Sequence, residues 1–181
     1  MARDPRDPGW GPSRRLASRL FLAGDIPRLP IITLRAVFLA FVAFVGILVV
    51  VRVLIGESDG DMQSGTAVTV LVAFAALETS LVAVHRTRPL IGDEPEDFAV
   101  AYRTSMLLRM AYAESTALAG FVLSFLTGDP ITSVVGAGLS LPGYLLAAPT
   151  AGDVARHQER LTETGTGVDL MAALLGYTTP D

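Results

Sequence analysis

The sequence contains no cysteine and no lysine, and it has only two histidines. The absence of cysteine excludes disulfides, thiolate metal sites and cysteine nucleophiles. The two histidines, His85 and His157, are too few and too far apart in sequence to indicate a metal site. No P-loop, GxGxxG, HExxH or GxSxG motif is present, so no phosphate, cofactor or hydrolase site is predicted.

Basic charge is also limited, because all 14 basic residues are arginines and 18 acidic residues outweigh them. The resulting net charge of −4 does not predict a nucleic-acid-binding surface. Arginine without lysine, together with abundant alanine, glycine and valine, is typical of a GC-rich bacterial genome.

Apolar residues are abundant in this chain. They make up 51% of the sequence, the mean hydropathy is +0.49, and they occur in blocks. A block of about 18 or more apolar residues has the length of a membrane-spanning helix. Four blocks meet that length and together define a membrane region over 31–148: residues 31–55, 66–84, 104–127 and 131–148.

The connections between these four blocks predict the fold class. An acidic, glycine-rich turn at 56–65 and a tight turn at 127–130 each join two neighbouring blocks. We therefore expect an all-α membrane protein whose four transmembrane helices form two antiparallel hairpins. Pro89 and Pro95 predict that the middle of the loop over 85–103 is irregular, and Pro142 predicts a kink in the fourth helix.

Short helices are predicted in both tails, over 1–30 and 149–181. The first twelve residues have a disordered composition, and Ser13 is placed to cap a basic helix over 14–22. That helix is expected to lie on an anionic leaflet with Trp10 among the headgroups, the alternative being a solvated basic tail. The C-terminal tail predicts a charged helix over 153–163 and an amphipathic helix over 168–177.

The distribution of arginine predicts the orientation. Six arginines lie in the N-terminal tail, three in the 85–103 loop and two in the C-terminal tail, whereas the loops at 56–65 and 127–130 have none. By the positive-inside rule, both termini and the central loop are cytoplasmic. The expected location is the bacterial plasma membrane.

Charged residues inside the predicted spans are the candidate functional residues. At 1.5 Å per residue, Arg109 lies about 7–8 Å deep, Glu78 about 9 Å and Glu114 about 15 Å from the cytoplasmic side. The matched depths of Arg109 and Glu78 predict a cross-helix pair, with either a structural or a functional role. Glu114 is then a candidate for binding an ion or a proton. Arg35 and Arg52, near the ends of the first span, are expected to extend towards the interface.

Small residues on the third and fourth spans predict close helix packing. Thr116, Gly120 and Ser124 recur every four residues, a spacing that lets another helix approach closely. Gly136 and Gly143 on the fourth span are the expected facing residues.

The third span resembles the carboxylate-bearing helix of the rotor-ring proteolipids of F-type and V-type ATPases. Its matching residues are Ala111, Glu114, Ala117, Leu118, Gly120, Phe121 and Val122, after a polar HRTRP loop. By that resemblance Glu114 is the ion-carrying carboxylate. The whole chain also resembles small four-span bacterial membrane proteins of unknown function, with an Arg…Glu…Gly third helix and Pro149-Thr150 after the fourth.

Two functions follow as the leading hypotheses; a membrane enzyme is a third, which no nucleophile, metal cluster or phosphate-binding loop in the sequence supports. The first is a non-enzymatic membrane protein that contacts lipids and assembles with itself or with another membrane protein. The second is a proton- or cation-handling protein that uses Glu114, with Glu78 and Arg109 as a relay or gate. Neither hypothesis requires a cofactor.

Overall fold

A computed structural model describes residues 7–20 and 30–176, and every regular element in these ranges is an α-helix. The helices are α1 (Gly11–Leu20), α2 (Pro30–Ile55), α3 (Ser64–Thr87), α4 (Pro95–Leu126), α5 (Ile131–Ala147), α6 (Ala151–Glu163) and α7 (Leu170–Leu174). Three of them, α2, α3 and α4, are long and apolar enough to cross a membrane. The fourth candidate span passes the same test only as a bent pair of α5 and α6.

Two compact units divide the described chain. One unit is formed by the residues up to Ala40, by Arg88–Met106 and by the chain from Ala148 onwards. The other unit is formed by Phe41–Thr87 and Leu107–Ala147. The first is called the tail unit below and the second the bundle unit. Both α2 and α4 contribute residues to each unit.

The start of α4 lies inside the segment that was predicted to be an irregular loop. Pro95 is the first helical residue, a position where the missing N–H of proline costs nothing. The Asp97 carboxylate accepts hydrogen bonds from the backbone N–H groups of Asp93 and Glu94 just before it. Proline at this site therefore starts the helix. Residues 88–94 are irregular as predicted, and the prediction was wrong only in extending the irregular stretch past Pro95.

The tail helices differ from prediction in their first residues. α1 begins at Gly11, so Ser13 lies inside the helix and is buried, and it is not the N-cap. Residues 21 and 22 of the predicted helix lie outside the described residues. α6 begins at Ala151 with Thr150 as its N-cap, and α7 is capped by Asp169, whose side chain accepts from the Ala172 N–H.

Glycine contacts hold α4 against α5 inside the bundle unit. A Cβ atom added to Gly120 would lie 2.6 Å from the Gly136 Cα, and the reverse substitution meets the same distance. The two backbones are therefore in direct contact, as small residues allow between membrane helices. Nearby, Ala67, Leu71 and Leu123 form a buried apolar cluster of α3 and α4.

The two turns of the bundle unit also touch. The Ser58 N–H donates to the Gly128 carbonyl at 3.0 Å, and the Met62 N–H donates to the Leu126 carbonyl at 3.0 Å. Gly128 has φ +73°, a conformation that favours glycine, and no side chain fits between it and Ser58. These contacts bring the predicted turns at 56–65 and 127–130 together.

We expect Gly120→Ala to loosen the contact of α4 with α5, because the new methyl group meets backbone that cannot rotate away. The cost is about 1–3 kcal/mol of stability, typical of overpacking. Unfolding by SDS in mixed micelles measures it. Gly138→Ala on α5 is the matched control, since nothing lies within 4 Å of its added Cβ. Equal stability of the two variants would contradict the contact.

Candidate functional site

Arg35, in the tail unit, is completely buried and uses its guanidinium to join distant parts of the chain. Its two terminal nitrogens contact the two Asp7 carboxylate oxygens at 2.5 and 2.7 Å, a bidentate ion pair. It also donates to the carbonyls of Gly9 at 2.9 Å and Pro149 at 3.0 Å. Arg35 was expected to extend towards the interface; in the structure its donors are satisfied by protein groups, and its level in the membrane stays a prediction.

Residues 7–10 are ordered by this arginine. The Trp10 ring lies 5.2 Å from the Arg35 Cζ atom and packs edge-on against Phe38 with a centroid distance of 5.9 Å. The first residues were expected to be disordered, and in the structure Trp10 packs on Arg35 and Phe38; its place among the headgroups stays a prediction. A cation beside an indole face is attracted by the ring's quadrupole, so Trp10 further stabilises the buried Arg35 guanidinium.

A second polar contact in the tail unit joins α4 to α6. The buried Tyr102 hydroxyl donates to the Asp153 carboxylate at 3.1 Å, and the Tyr102 ring packs edge-on against His157 at 5.5 Å. The Asp153 backbone N–H is in turn bonded by the Thr150 side chain, one residue after Pro149. Polar bonds therefore run from Arg35 through the start of α6 to α4.

Arg52 makes the corresponding contacts in the bundle unit. It is completely buried and donates to the Ser124 hydroxyl at 2.9 Å, to the Ser124 carbonyl at 2.7 Å and to the Gly56 carbonyl. Its Cζ atom lies 4.7 Å from the Phe125 ring centroid. Arg52 was also expected to extend to the interface, and it instead satisfies carbonyl groups that the ends of α2 and α4 leave open.

Glu78 lies at a junction of three helices in the bundle unit. Its side chain is 1% exposed, and one carboxylate oxygen accepts the Thr116 backbone N–H at 3.2 Å. The other oxygen sits directly against Gly143, where a Cβ atom would collide with it. These contacts of the Glu78 carboxylate are with the backbone of α4 and α5, and the predicted cross-helix pair with Arg109 stays a prediction.

Glu114 and Tyr144 lie beside the same junction. Both side chains are buried, and the Tyr144 hydroxyl is within electrostatic reach of the Glu114 and Glu78 carboxylates. Arg109, five residues before Glu114 on α4, is completely buried. About two turns after Glu78 along α3, His85 packs on Tyr112 with a ring-centroid distance of 5.2 Å. The junction thus gathers two carboxyl groups and a phenol from three helices.

Sequence reasoning missed several residues of these sites. Asp7 stands in a proline-rich tail with no signal that points to Arg35, which lies 28 residues away. Tyr144 was missed although it directly follows the Pro142-Gly143 pair that marks a close approach on α5. Glu78, Glu114 and Arg109 were singled out correctly as buried charges, since each is at most 8% exposed.

Comparisons with protein-family models, with curated proteins and with solved structures find no match to this chain. The resemblance of the third span to rotor-ring proteolipids therefore stays a prediction from its residues. Function is inferred below from the geometry of the buried charges and of the exposed apolar surface.

We expect the contact between the N-terminal segment and α2 to be lost in acid. The hydrogen bond from Arg35 holds the pKa of the Asp7 carboxyl below its usual value of 3.8, against the opposing effect of burial. With the folded-state pKa depressed, stabilisation is full above the unfolded-state pKa of about 3.9 and disappears as pH falls through the folded-state pKa. An acid titration of Trp10 fluorescence in mild detergent should show this step.

Asp7→Asn is the control for that titration, because it removes the titrating group and leaves the side-chain size unchanged. The variant should lack the acid step and should resemble the acid form of the wild type at neutral pH. Identical titration curves for the two proteins would show that Asp7 does not hold the segment.

Proposed function

We propose that this chain is a four-span protein of the bacterial plasma membrane that works by assembling with itself or with another membrane protein. The observation that carries this proposal is the outer surface of α2. That helix is apolar along 25 residues from Ile31 to Ile55, yet little of it is covered by the rest of the chain. Lipid covers such a surface in the membrane, and a second transmembrane helix can replace lipid there.

One side of α2 is shaped for another helix. Ala43, Gly46, Ile47, Val50 and Leu54 recur at the spacing of one helical face and are all exposed. Nothing lies within 4 Å of a Cβ added to Gly46, so this glycine leaves an open notch on the surface. Glycine with flanking branched residues is a surface on which membrane helices pack closely. The occupant that we propose is a second copy of α2 or a helix of another membrane protein.

The four-span topology is supported by the composition of the two units. The tail unit contains the N-terminal tail, most of the central loop and the C-terminal tail, which are the arginine-bearing segments. The bundle unit contains the two turns without arginine, and these turns are bonded to each other. Turns that meet lie on one side of a membrane, as alternating spans α2, α3, α4 and α5 require. Both termini then lie in the cytoplasm.

A second candidate function, the handling of protons or cations, is favoured by the junction around Gly143. Glu78 and Glu114 are buried there, and within the described residues neither carboxylate belongs to an ion pair. Two anionic carboxylates near each other in an apolar medium are costly unless a cation joins them. A proton or a monovalent cation bound between α3, α4 and α5 would supply that charge, with Tyr144 as a hydroxyl ligand or proton carrier.

Single-cysteine variants test assembly directly, because the natural chain has no cysteine. Oxidation of native membranes should join two copies through Val50→Cys, which is 57% exposed on α2, and not through Val45→Cys, which is 8% exposed on the same helix. Gly46→Leu should abolish the crosslink by filling the notch. Monomers throughout, with no membrane protein co-purifying and no effect of Gly46→Leu, would overturn the proposal.

Single-cysteine variants also test on which side of the membrane each loop lies. Asp59→Cys in the first turn should react with a membrane-impermeant maleimide in intact cells, whereas Asp93→Cys in the central loop should react only after lysis. Both positions are exposed, so their reactivity reports the side of the membrane. Reaction of both in intact cells would contradict the four-span topology.

Neutral substitutions separate the two candidate functions. If the junction carries protons, Glu114→Gln or Glu78→Gln should abolish proton uptake into liposomes that contain the purified protein, while crosslinking through Val50→Cys persists. If the carboxyl groups are structural, the wild type shows no proton flux and the variants lose assembly. Asp59→Asn, an exposed carboxylate in the first turn, is the matched control and should change neither readout.

A further inference from the structure

The environment of Arg35 is that of an anion-binding site occupied by the chain itself. A guanidinium has five N–H donors, and Arg35 uses four of them, two on Asp7 and one each on Gly9 and Pro149. Three of those four bonds go to the N-terminal segment. The Asp7 side chain is nevertheless 21% exposed, while Arg35 is completely buried. The anion therefore reaches the site from the surface.

Release of the N-terminal segment would leave Arg35 with one hydrogen bond, to the Pro149 carbonyl. A buried arginine without an anion costs several kcal/mol, so a vacant site is strongly disfavoured. Asp7 is therefore expected to leave only as another anion arrives, because both anions bind the same two terminal nitrogens of Arg35.

The position of Arg35 along α2 indicates which anion is available to replace Asp7. It lies four residues after Ile31, where the apolar stretch of α2 begins, which is about 6 Å along the helix. A 25-residue helix is about 37 Å long, which exceeds the hydrocarbon core of roughly 30 Å, so Arg35 lies close to the boundary between headgroups and hydrocarbon. A phosphate offers the guanidinium the same bidentate geometry as a carboxylate. The Trp10 ring beside the site is also typical of this layer.

The helix that follows the segment favours the same surface. Arg14 and Arg15 of α1 are exposed and lie four and five residues after Trp10. Arginines near an anionic leaflet are attracted to its negative surface charge. Anionic lipid therefore draws α1 towards the membrane and offers Arg35 a replacement for Asp7 at the same time.

We propose that Asp7–Trp10 is a latch that holds a phosphate-binding site closed, and that the phosphate group of an anionic phospholipid displaces Asp7 from Arg35. The latch is closed in a neutral bilayer and open in an anionic one. Opening frees the N-terminal segment and leaves Arg35 bonded to phosphate and to Pro149. This proposal rests on α2 lying in a membrane, as proposed above.

Trp10 is the only tryptophan of the chain, so its fluorescence reports the latch without any label. The full-length protein is placed in bilayers of phosphatidylcholine alone and of phosphatidylcholine with phosphatidylglycerol. Asp7→Asn in phosphatidylcholine defines the emission spectrum of the open latch. The wild-type spectrum should move to that of the variant when phosphatidylglycerol is added, and the variant's spectrum should not change.

Native mass spectrometry gives the second readout. Asp7→Asn should retain more phosphatidylglycerol than the wild type. Adding Arg35→Gln to Asp7→Asn should abolish this excess. Should Arg35→Gln fail to fold by circular dichroism, the Asp7→Asn comparison still decides. Asp59→Asn, which removes an exposed carboxylate outside the site, is the control and should behave as the wild type.

Inorganic phosphate added to the neutral bilayers distinguishes the source of the anion. The same spectral change with phosphate supports the site with a free ligand, and a change with phosphatidylglycerol alone supports the lipid. A wild-type spectrum unaffected by both, or an equal change with sodium chloride at matched ionic strength, would overturn the latch. Flotation of the vesicles with bound protein tests membrane insertion separately, so failure of the latch and of the membrane assignment can be told apart.

Discussion

A guanidinium in an apolar interior must find acceptors for its N–H groups, and the described structure depends on how this chain satisfies that demand. Arg35, Arg52 and Arg109 are all completely buried. Arg35 donates to the Asp7 carboxylate and to the carbonyls of Gly9 and Pro149. Arg52 donates to carbonyls at helix ends, those of Gly56 after α2 and Ser124 in the last turn of α4. Carbonyls at the C-terminal end of a helix lack partners within that helix and carry the negative end of its dipole. Arg52 thus satisfies its own donors and these open carbonyls with the same contacts.

The buried carboxylate of Glu78 has different partners from those of the buried arginines. Glu78 takes one backbone N–H from the middle of α4, where Thr116 lies, and Gly143 gives it room against α5. Neither contact brings a positive charge. Arg35 and Arg52 hold distant parts of the chain together, whereas Glu78, Glu114 and Tyr144 form the junction at which the second candidate function is proposed.

Much of the helical architecture follows from hydropathy and turn residues, and most of the side-chain partnerships do not. The apolar blocks located α2 and α3 well because lengths of apolar sequence are a local property. The start of α4 was missed because Pro95 was weighed as a breaker and not as a first helical residue. Arg35 and Arg52 were taken for interfacial residues because their acceptors lie 114 and 72 residues away in sequence. The residues around an arginine do not show which distant carbonyl will lie beside it after folding.

The bonds between the two turns of the bundle unit have a mechanical consequence. Ser58 with Gly128 and Met62 with Leu126 join the connection between α2 and α3 to the connection between α4 and α5. These backbone hydrogen bonds fix the register of one turn against the other. Glycine is required at position 128, because no side chain fits between it and Ser58. A substitution at position 128 therefore acts on both turns at once.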